Sequence, residues 1–238
     1  MEIHVVAGQG KVGWLAQFKG YLKEFASYPD FCWVVAARFA SFTGLACMQK
    51  FARNYLFDNF HSYSVFGHDL GNADTATAAV FMGVIVFGAI ATYPAVKLSD
   101  RIGRKNVIVG ASILGSIGML LFFLASSLTE IVLVAIPIGV AFGMMISVDW
   151  AYMADLAPKA RAGKFLGFSN IATAGSQAFA PAFLGPAIDV LKRSKGSWIA
   201  YHMMFACAAG FFILGAILLL TKVKRDKVAE ADVELASA

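Results

Sequence analysis

Apolar residues come in six long runs along the chain, 31–56, 75–98, 106–125, 131–154, 164–191 and 198–223, separated by short polar segments. Twenty or so apolar residues at about 1.5 Å rise each cross a hydrocarbon layer of roughly 30 Å. The runs do not alternate apolar and polar positions over ten-residue blocks, as the strands of a membrane barrel would. Each must therefore satisfy its backbone hydrogen bonds internally, as a helix. The pattern predicts an all-α membrane protein with six transmembrane helices over residues 29–223. Residues 1–28 form a polar and amphipathic lead, and 224–238 a short charged tail. In the lead, Trp14, Phe18, Leu22 and Phe25 recur at helical spacing, with Lys19, Lys23 and Glu24 elsewhere on the turn. Such a stretch is expected to lie flat in the membrane interface. Residues 1–12 lack the apolar core of a secretory signal, so no cleaved leader is expected.

Composition agrees: 59% hydrophobic residues, a mean hydropathy of +0.68 and 15% charged residues leave too little polar surface to coat a soluble globule. Charge then sets the orientation, because cytoplasmic flanks hold excess Lys and Arg. With the N-terminus inside, fourteen cations fall on the cytoplasmic side (Lys11, Lys19, Lys23, Lys97, Arg101, Arg104, Lys105, Lys159, Arg161, Lys164, Lys222, Lys224, Arg225 and Lys227). Five fall outside: Lys50, Arg53, Lys192, Arg193 and Lys195. Both termini are expected in the cytoplasm of a multi-pass protein of the cell's inner (plasma) membrane. Because the cations are divided among loops, the net charge of +5 reads as attraction to anionic membrane lipid and not as a nucleic-acid footprint. Cys32, Cys47 and Cys207 sit in apolar runs without metal-ligand spacing and read as small packing residues. No cofactor is called for.

Ionisable residues inside the membrane are costly, which makes Arg38 and Asp149 functional candidates. Arg38 is eight residues from Asp30, about 12 Å deep, and Asp149 six from Asp155, about 9 Å. Lys50 and Arg53 reach the outer interface and read as snorkelling. Asn170, Thr173 and Gln177 share a face of the fifth helix, where they could bond a solute or glue helices together. Trp33, Trp150 and Tyr93 offer flat faces to a ring, although aromatics at helix ends also form interface belts. Gly139 and Gly143, Gly163 and Gly167, and Ala174, Ala178 and Ala182 repeat small residues every fourth position, which predicts close helix packing. Pro94, Pro137, Pro181 and Pro186 permit bends or unwound turns.

Between the second and third runs stands Val96-Lys97-Leu98-Ser99-Asp100-Arg101-Ile102-Gly103-Arg104-Lys105. It is similar to the cytoplasmic loop signature of the major facilitator superfamily, Gly-x-Leu-x-Asp-Arg-x-Gly-Arg-Arg/Lys, with Val96 where the signature has glycine. The stretches 148–158 and 162–172 resemble the matching region of bacterial sugar-porter-like members. The likeness covers roughly 28–223 and implies one six-helix half of a transporter. The amphipathic lead resembles the linker before the second bundle, which points to the C-terminal half. Expected partners are a complementary six-helix half or a second copy of the chain, and a small-molecule substrate. Family architecture turns the second and fifth helices towards the other half and lines the central path with the first and fourth. The resemblance further implies a cytoplasmic gate of Asp100, Arg101, Gly103, Arg104 and Lys105, with Asp100 against a helix N-terminus of the opposite bundle. It makes Arg38 and Asp149 a geometrically reasonable pair, with Trp150, Asn170 and Gln177 beside it for substrate and proton coupling. Such a pair could open with proton or substrate binding, since a carboxylate deprived of its cation in apolar surroundings takes up a proton more readily. A static bridge is the plainer alternative. The function implied is secondary active transport of a small organic solute, sugar-like first and drug-like second, by alternating access with proton coupling.

Other classes fit less well. An intramembrane serine protease needs Ser169 and His202 in contact, yet the topology puts them near opposite faces, with His202 an interface residue. His61, His68 and Asp69 share an outer loop and make a weak metal-site candidate. A noncatalytic scaffold, regulating or assembling with another membrane protein, is the remaining rival.

Overall fold

The computed structural model describes residues 24–224. In chain order they form α1 (Pro29–Asn59), a hairpin of β1 (Ser64–Val65) and β2 (His68–Asp69), α2 (Ala73–Ile102), α3 (Arg104–Leu121), α4 (Leu128–Leu156), α5 (Ala162–Phe179), α6 (Gly185–Lys195) and α7 (Ser197–Lys222). A π-helical turn, Ala180–Leu184, joins α5 to α6, so the fifth apolar run is one helical path with a wide turn at Pro181. Among the described residues five helices, α1 to α4 and α7, are long and apolar enough to cross a membrane. The protein is an all-α membrane protein.

The helix ends follow the sequence. The Asn72 side chain accepts from the Asp74 and Thr75 amides and starts α2. Ser127 accepts from the Glu130 amide, and the Glu130 carboxylate reaches back to the Ser126 amide, an approximate capping box for α4. Gly103, at φ 89°, reverses the chain between α2 and α3, and Gly196, at φ 90°, does so between α6 and α7. Both turns need a backbone that other residues enter only with strain. The third run is helical only to Leu121, and a turn carries it to Ala125, short of the expected boundary.

Small residues set the packing. A Cβ on Gly139 would stand 2.7 Å from the Val84 carbonyl oxygen, and one on Gly143 would collide with Gly88 of α2. Hence α2 and α4 touch backbone to backbone. Likewise α1 meets α7 where a Cβ on Gly44 would lie 2.8 Å from the Ala208 carbonyl oxygen, and α3 meets both α4 and α7 through Gly118 and Gly115. Two apolar cores result. One surrounds Tyr55, Phe122, Tyr201 and Phe205 at the end that carries the β-hairpin. The other surrounds Phe25, Phe31, Tyr152 and Phe165 at the end that carries the 97–105 turn. These are the hairpin end and the basic end below.

Three expectations change. Gly163 and Gly167 meet nothing within 4 Å of an added Cβ, and Ala174, Ala178 and Ala182 are exposed, so this stripe of α5 and its extension packs nothing within the bundle. Phe25 does not lie in a lipid interface. It is buried, stacked 4.0 Å from Phe168 and edge-on to Phe165, while Trp14, Phe18 and Leu22 lie outside the described residues. His202 is also buried, 4.3 Å from the Trp198 ring of α7 and 4.8 Å from Phe123 in the turn after α3, which close over it. Most of the 1–28 lead and the 224–238 tail lies outside the described residues.

Candidate functional site

Arg38 comes from the first third of α1 and Asp149 from the last third of α4; they meet as a direct ion pair, the guanidinium Nη1 donating to Asp149 Oδ2. Arg38 is 4% exposed and Asp149 2%, so both charges are out of solvent and each neutralises the other. Arg38 Nε donates to Thr173 Oγ1 of α5 at 2.8 Å. The guanidinium carbon stands over two aromatic rings, 5.1 Å from the Phe42 centroid and 5.1 Å from that of Trp150. One arginine therefore ties three helices together at one level of the bundle.

The remaining predicted site residues divide. Trp150 covers the pair and is itself 42% exposed, the outermost layer of the site. Gln177 Nε2 donates to Gln49 Oε1 at 3.0 Å, a bond between the fifth helical run and α1. Asn170 is exposed on α5 and bonds no described side chain. Thr173, read from sequence only as one of three polar positions, proves to be the third member of the ion-pair cluster. Its signal was the i, i+3 spacing from Asn170.

In the 97–105 turn, Arg104 pairs with Asp155 of α4 at 2.9 Å, and Lys105 Nζ donates to the Val223 carbonyl at 2.6 Å, closing the end of α7. Gly103 supplies the left-handed reversal. Asp100 and Arg101 are exposed and pair with no described residue. Beside this turn Glu24 accepts from both Arg161 and Lys164, which hold its carboxyl below the usual carboxylate range, Lys164 first. The sequence did not single out Glu24, since its partners lie more than 130 residues away.

At the hairpin end, Arg53 pairs with Asp74 rather than only snorkelling. Asp58 accepts from Lys192 at 2.5 Å and from the Tyr201 hydroxyl at 2.6 Å, tying α1 to α6 and α7. Neither contact was read from the sequence. No group of three His, Cys, Asp or Glu stands together as a metal site among the described residues. Ser169 donates to the Leu166 carbonyl of its own helix, and His202 Nδ1 lies 2.7 Å from the Trp198 carbonyl; the two make no pair.

The sequence profile described as the Major Facilitator Superfamily matches residues 34–237. The chain belongs to that superfamily. YwtG of Bacillus subtilis, provisionally named as a metabolite transport protein, is 34% identical over 40% of this chain and 21% of its own length. MJ1560 of Methanocaldococcus jannaschii, an uncharacterized transporter of the same superfamily type, is 26% identical over 46% of this chain and 28% of its own. Among solved structures, the Escherichia coli proton:xylose symporter XylE matches with a TM-score of 0.61 and 22% identity over 82% of this chain and 45% of that one. The POT family transporter PepTSo matches with a TM-score of 0.60 and 16% identity, over 79% and 37%. At these identities the structures show the fold. The chain spans less than half of each of these proteins. That superfamily is one of membrane transporters, not of enzymes.

Proposed function

We propose that the chain is one six-helix half of a secondary active transporter that moves a small organic solute by alternating access, with proton coupling through Arg38 and Asp149. The single observation that carries this reading is the buried pair, because a fold member needs no charges at this depth merely to pack. In the six-helix reading the fifth span is the path 162–195, whose π turn at Pro181 supplies the freedom of a broken helix beside a cavity. The exposed small-residue stripe on that path, with its Gly163 and Gly167, is the surface that would meet a complementary half or a second copy. Both termini lie in the cytoplasm on this reading, since the basic end carries the 97–105 turn, and the membrane is the cell's inner one. The Arg104–Asp155 pair and the Lys105 bond to α7 then hold the turn rigid, so that Asp100 can act as a latch towards the other half. The sequence resemblance favours a sugar-like solute, and the likeness to XylE carries the fold.

Uptake into proteoliposomes tests the reading. The chain with a complementary six-helix half should accumulate solute under an inward proton gradient, and Asp149→Asn should abolish both accumulation and its pH dependence. Accumulation that ignores Asp149→Asn would leave the pair a static bridge. Partner binding without transport in any combination would favour the scaffold.

A further inference from the structure

The hydrogen bonds of Arg38 leave one nitrogen of the guanidinium unused. Nε is held by Thr173 and Nη1 by Asp149, while Nη2 bonds no described residue. Guanidinium is a planar fork of five donors that matches a carboxylate with two parallel bonds. Here Nε and Nη1 are taken, so a carboxylate gains the two-bond fit only through Nη2 together with a nitrogen that one of the present partners gives up. Trp150, over the guanidinium, is 42% exposed, which makes its side of the site the open one, and Asn170, one turn before Thr173 on α5, is exposed as well.

Charge balance then restricts the ligand. A cation that is 4% exposed must keep one anion beside it, or suffer the penalty of an uncompensated buried charge. In the structure that anion is Asp149. The other groups that touch Arg38 (Thr173 of α5, Phe42 of α1 and Trp150 of α4) carry no charge, and α3 and α7 bring no ion pair to it among the described residues. A neutral polyol could bond Nη2 yet leave the pair as it stands. An anionic solute that takes the fork must displace the Asp149 carboxylate, which in that apolar setting has to be neutralised in turn.

On the reading of this pair as the transport site, we infer that the solute is a small carboxylate, which replaces Asp149 on Arg38 as Asp149 takes a proton from water on the open side. The ion pair of Arg38 with Asp149 breaks, an ion pair of Arg38 with the solute forms, and the proton ends on Asp149. The site gains one negative and one positive charge together, so each monocarboxylate travels with one proton and the cycle moves no net charge. Trp150 must swing off the guanidinium to admit the solute, and its indole then stacks on any ring the acid carries.

Calorimetric titration of the full chain in nanodiscs, run in two buffers of different ionisation enthalpy, tests this with acetate, benzoate and succinate as probes and xylose as the neutral comparison. At least one carboxylate should bind with uptake of about one proton per carboxyl bound. Asp149→Asn should bind the same acid without proton uptake and with no pH dependence across the neutral range. Because Arg38→Gln alone strands a buried carboxylate and threatens the fold, the double variant Arg38→Gln/Asp149→Asn supplies the decisive control. It should stay folded by circular dichroism and lose affinity by about 100-fold or more. The inference is overturned if no carboxylate binds the wild-type chain, if binding survives the double variant, or if Asp149→Asn still takes up the proton. Xylose binding with proton uptake would overturn the anionic solute and leave proton-coupled transport standing. Carboxylate binding with no transport beside a complementary half would keep the anion site and overturn the transport reading instead.

Discussion

Two helical faces in this protein carry the same small-residue spacing and meet opposite fates. On α4, Gly139 and Gly143 are pressed against Val84 and Gly88 of α2, so that a single added carbon would meet backbone. On α5, Gly163 and Gly167 open onto nothing within reach. The first face is spent inside the bundle, and the second is available. The fifth helical path meets α1 through side chains, apolar and polar together: Phe31 edge-on to Phe165 and Phe39 to Phe179, beside Arg38 to Thr173, Gln177 to Gln49 and Lys192 to Asp58. In a lipid solvent the polar bonds among them are worth about 0.6 kcal/mol each. Side chains alone thus join the fifth path to α1, whereas α2 and α4 interlock backbone to backbone.

Several substitutions sharpen that contrast. The largest effect is expected from Gly143→Leu, which forces α2 from α4 and should cost about 3 kcal/mol or more, lowering the melting temperature in detergent sharply. Gly167→Leu on α5 should leave that temperature unchanged and impair only assembly or transport with a complementary half. Equal melting losses in the two variants would erase the distinction between the faces. Next, Asp149→Ala leaves Arg38 buried without its anion, at about 3–5 kcal/mol, while the double change Arg38→Gln/Asp149→Asn should recover most of the loss. A double variant no more stable than the single would mean the two charges are not coupled as the geometry indicates. Thr173→Val should cost only about 0.6 kcal/mol, measured by thermal unfolding, yet change solute affinity if it steers Arg38.

The smallest effect concerns Glu24, whose carboxyl Lys164 and Arg161 hold below the ordinary range. A carboxyl with a depressed folded-state value contributes above the ordinary carboxylate pKa of about 4.3, and its contribution fades as the pH falls through the depressed value. Glu24→Gln should therefore lower stability slightly at neutral pH and converge with the wild type in acid. A gap that widens on acidification would contradict the assignment.

How far the fold could be read in advance differs element by element. The helical runs were legible because lipid leaves a backbone one solution, and the reversals at Gly103 and Gly196 coincide with polar breaks in the pattern. The fine ends were not: the third helix stops at Leu121, because the chain must turn towards the Ser127 cap. Of the candidate site, Arg38 and Asp149 stood out by their cost in hydrocarbon. Thr173, Glu24, Asp58 and Tyr201 did not, since a threonine, or a carboxylate or tyrosine near a helix end, is unremarkable until a distant partner appears.

The amino-acid order by itself determined that this is a membrane-embedded helical protein, which charges it can least tolerate in the bilayer, and the glycine-marked turn of its superfamily. Those properties depend on transfer between water and lipid, which each segment undergoes as a unit. Only the tertiary structure decided that Arg38 faces Asp149 across 111 positions, that one glycine stripe is locked while another is open, and that Phe25 and His202 are buried rather than at an interface. Such outcomes depend on which helices become neighbours and at what rotation, and short-range pattern carries no record of either.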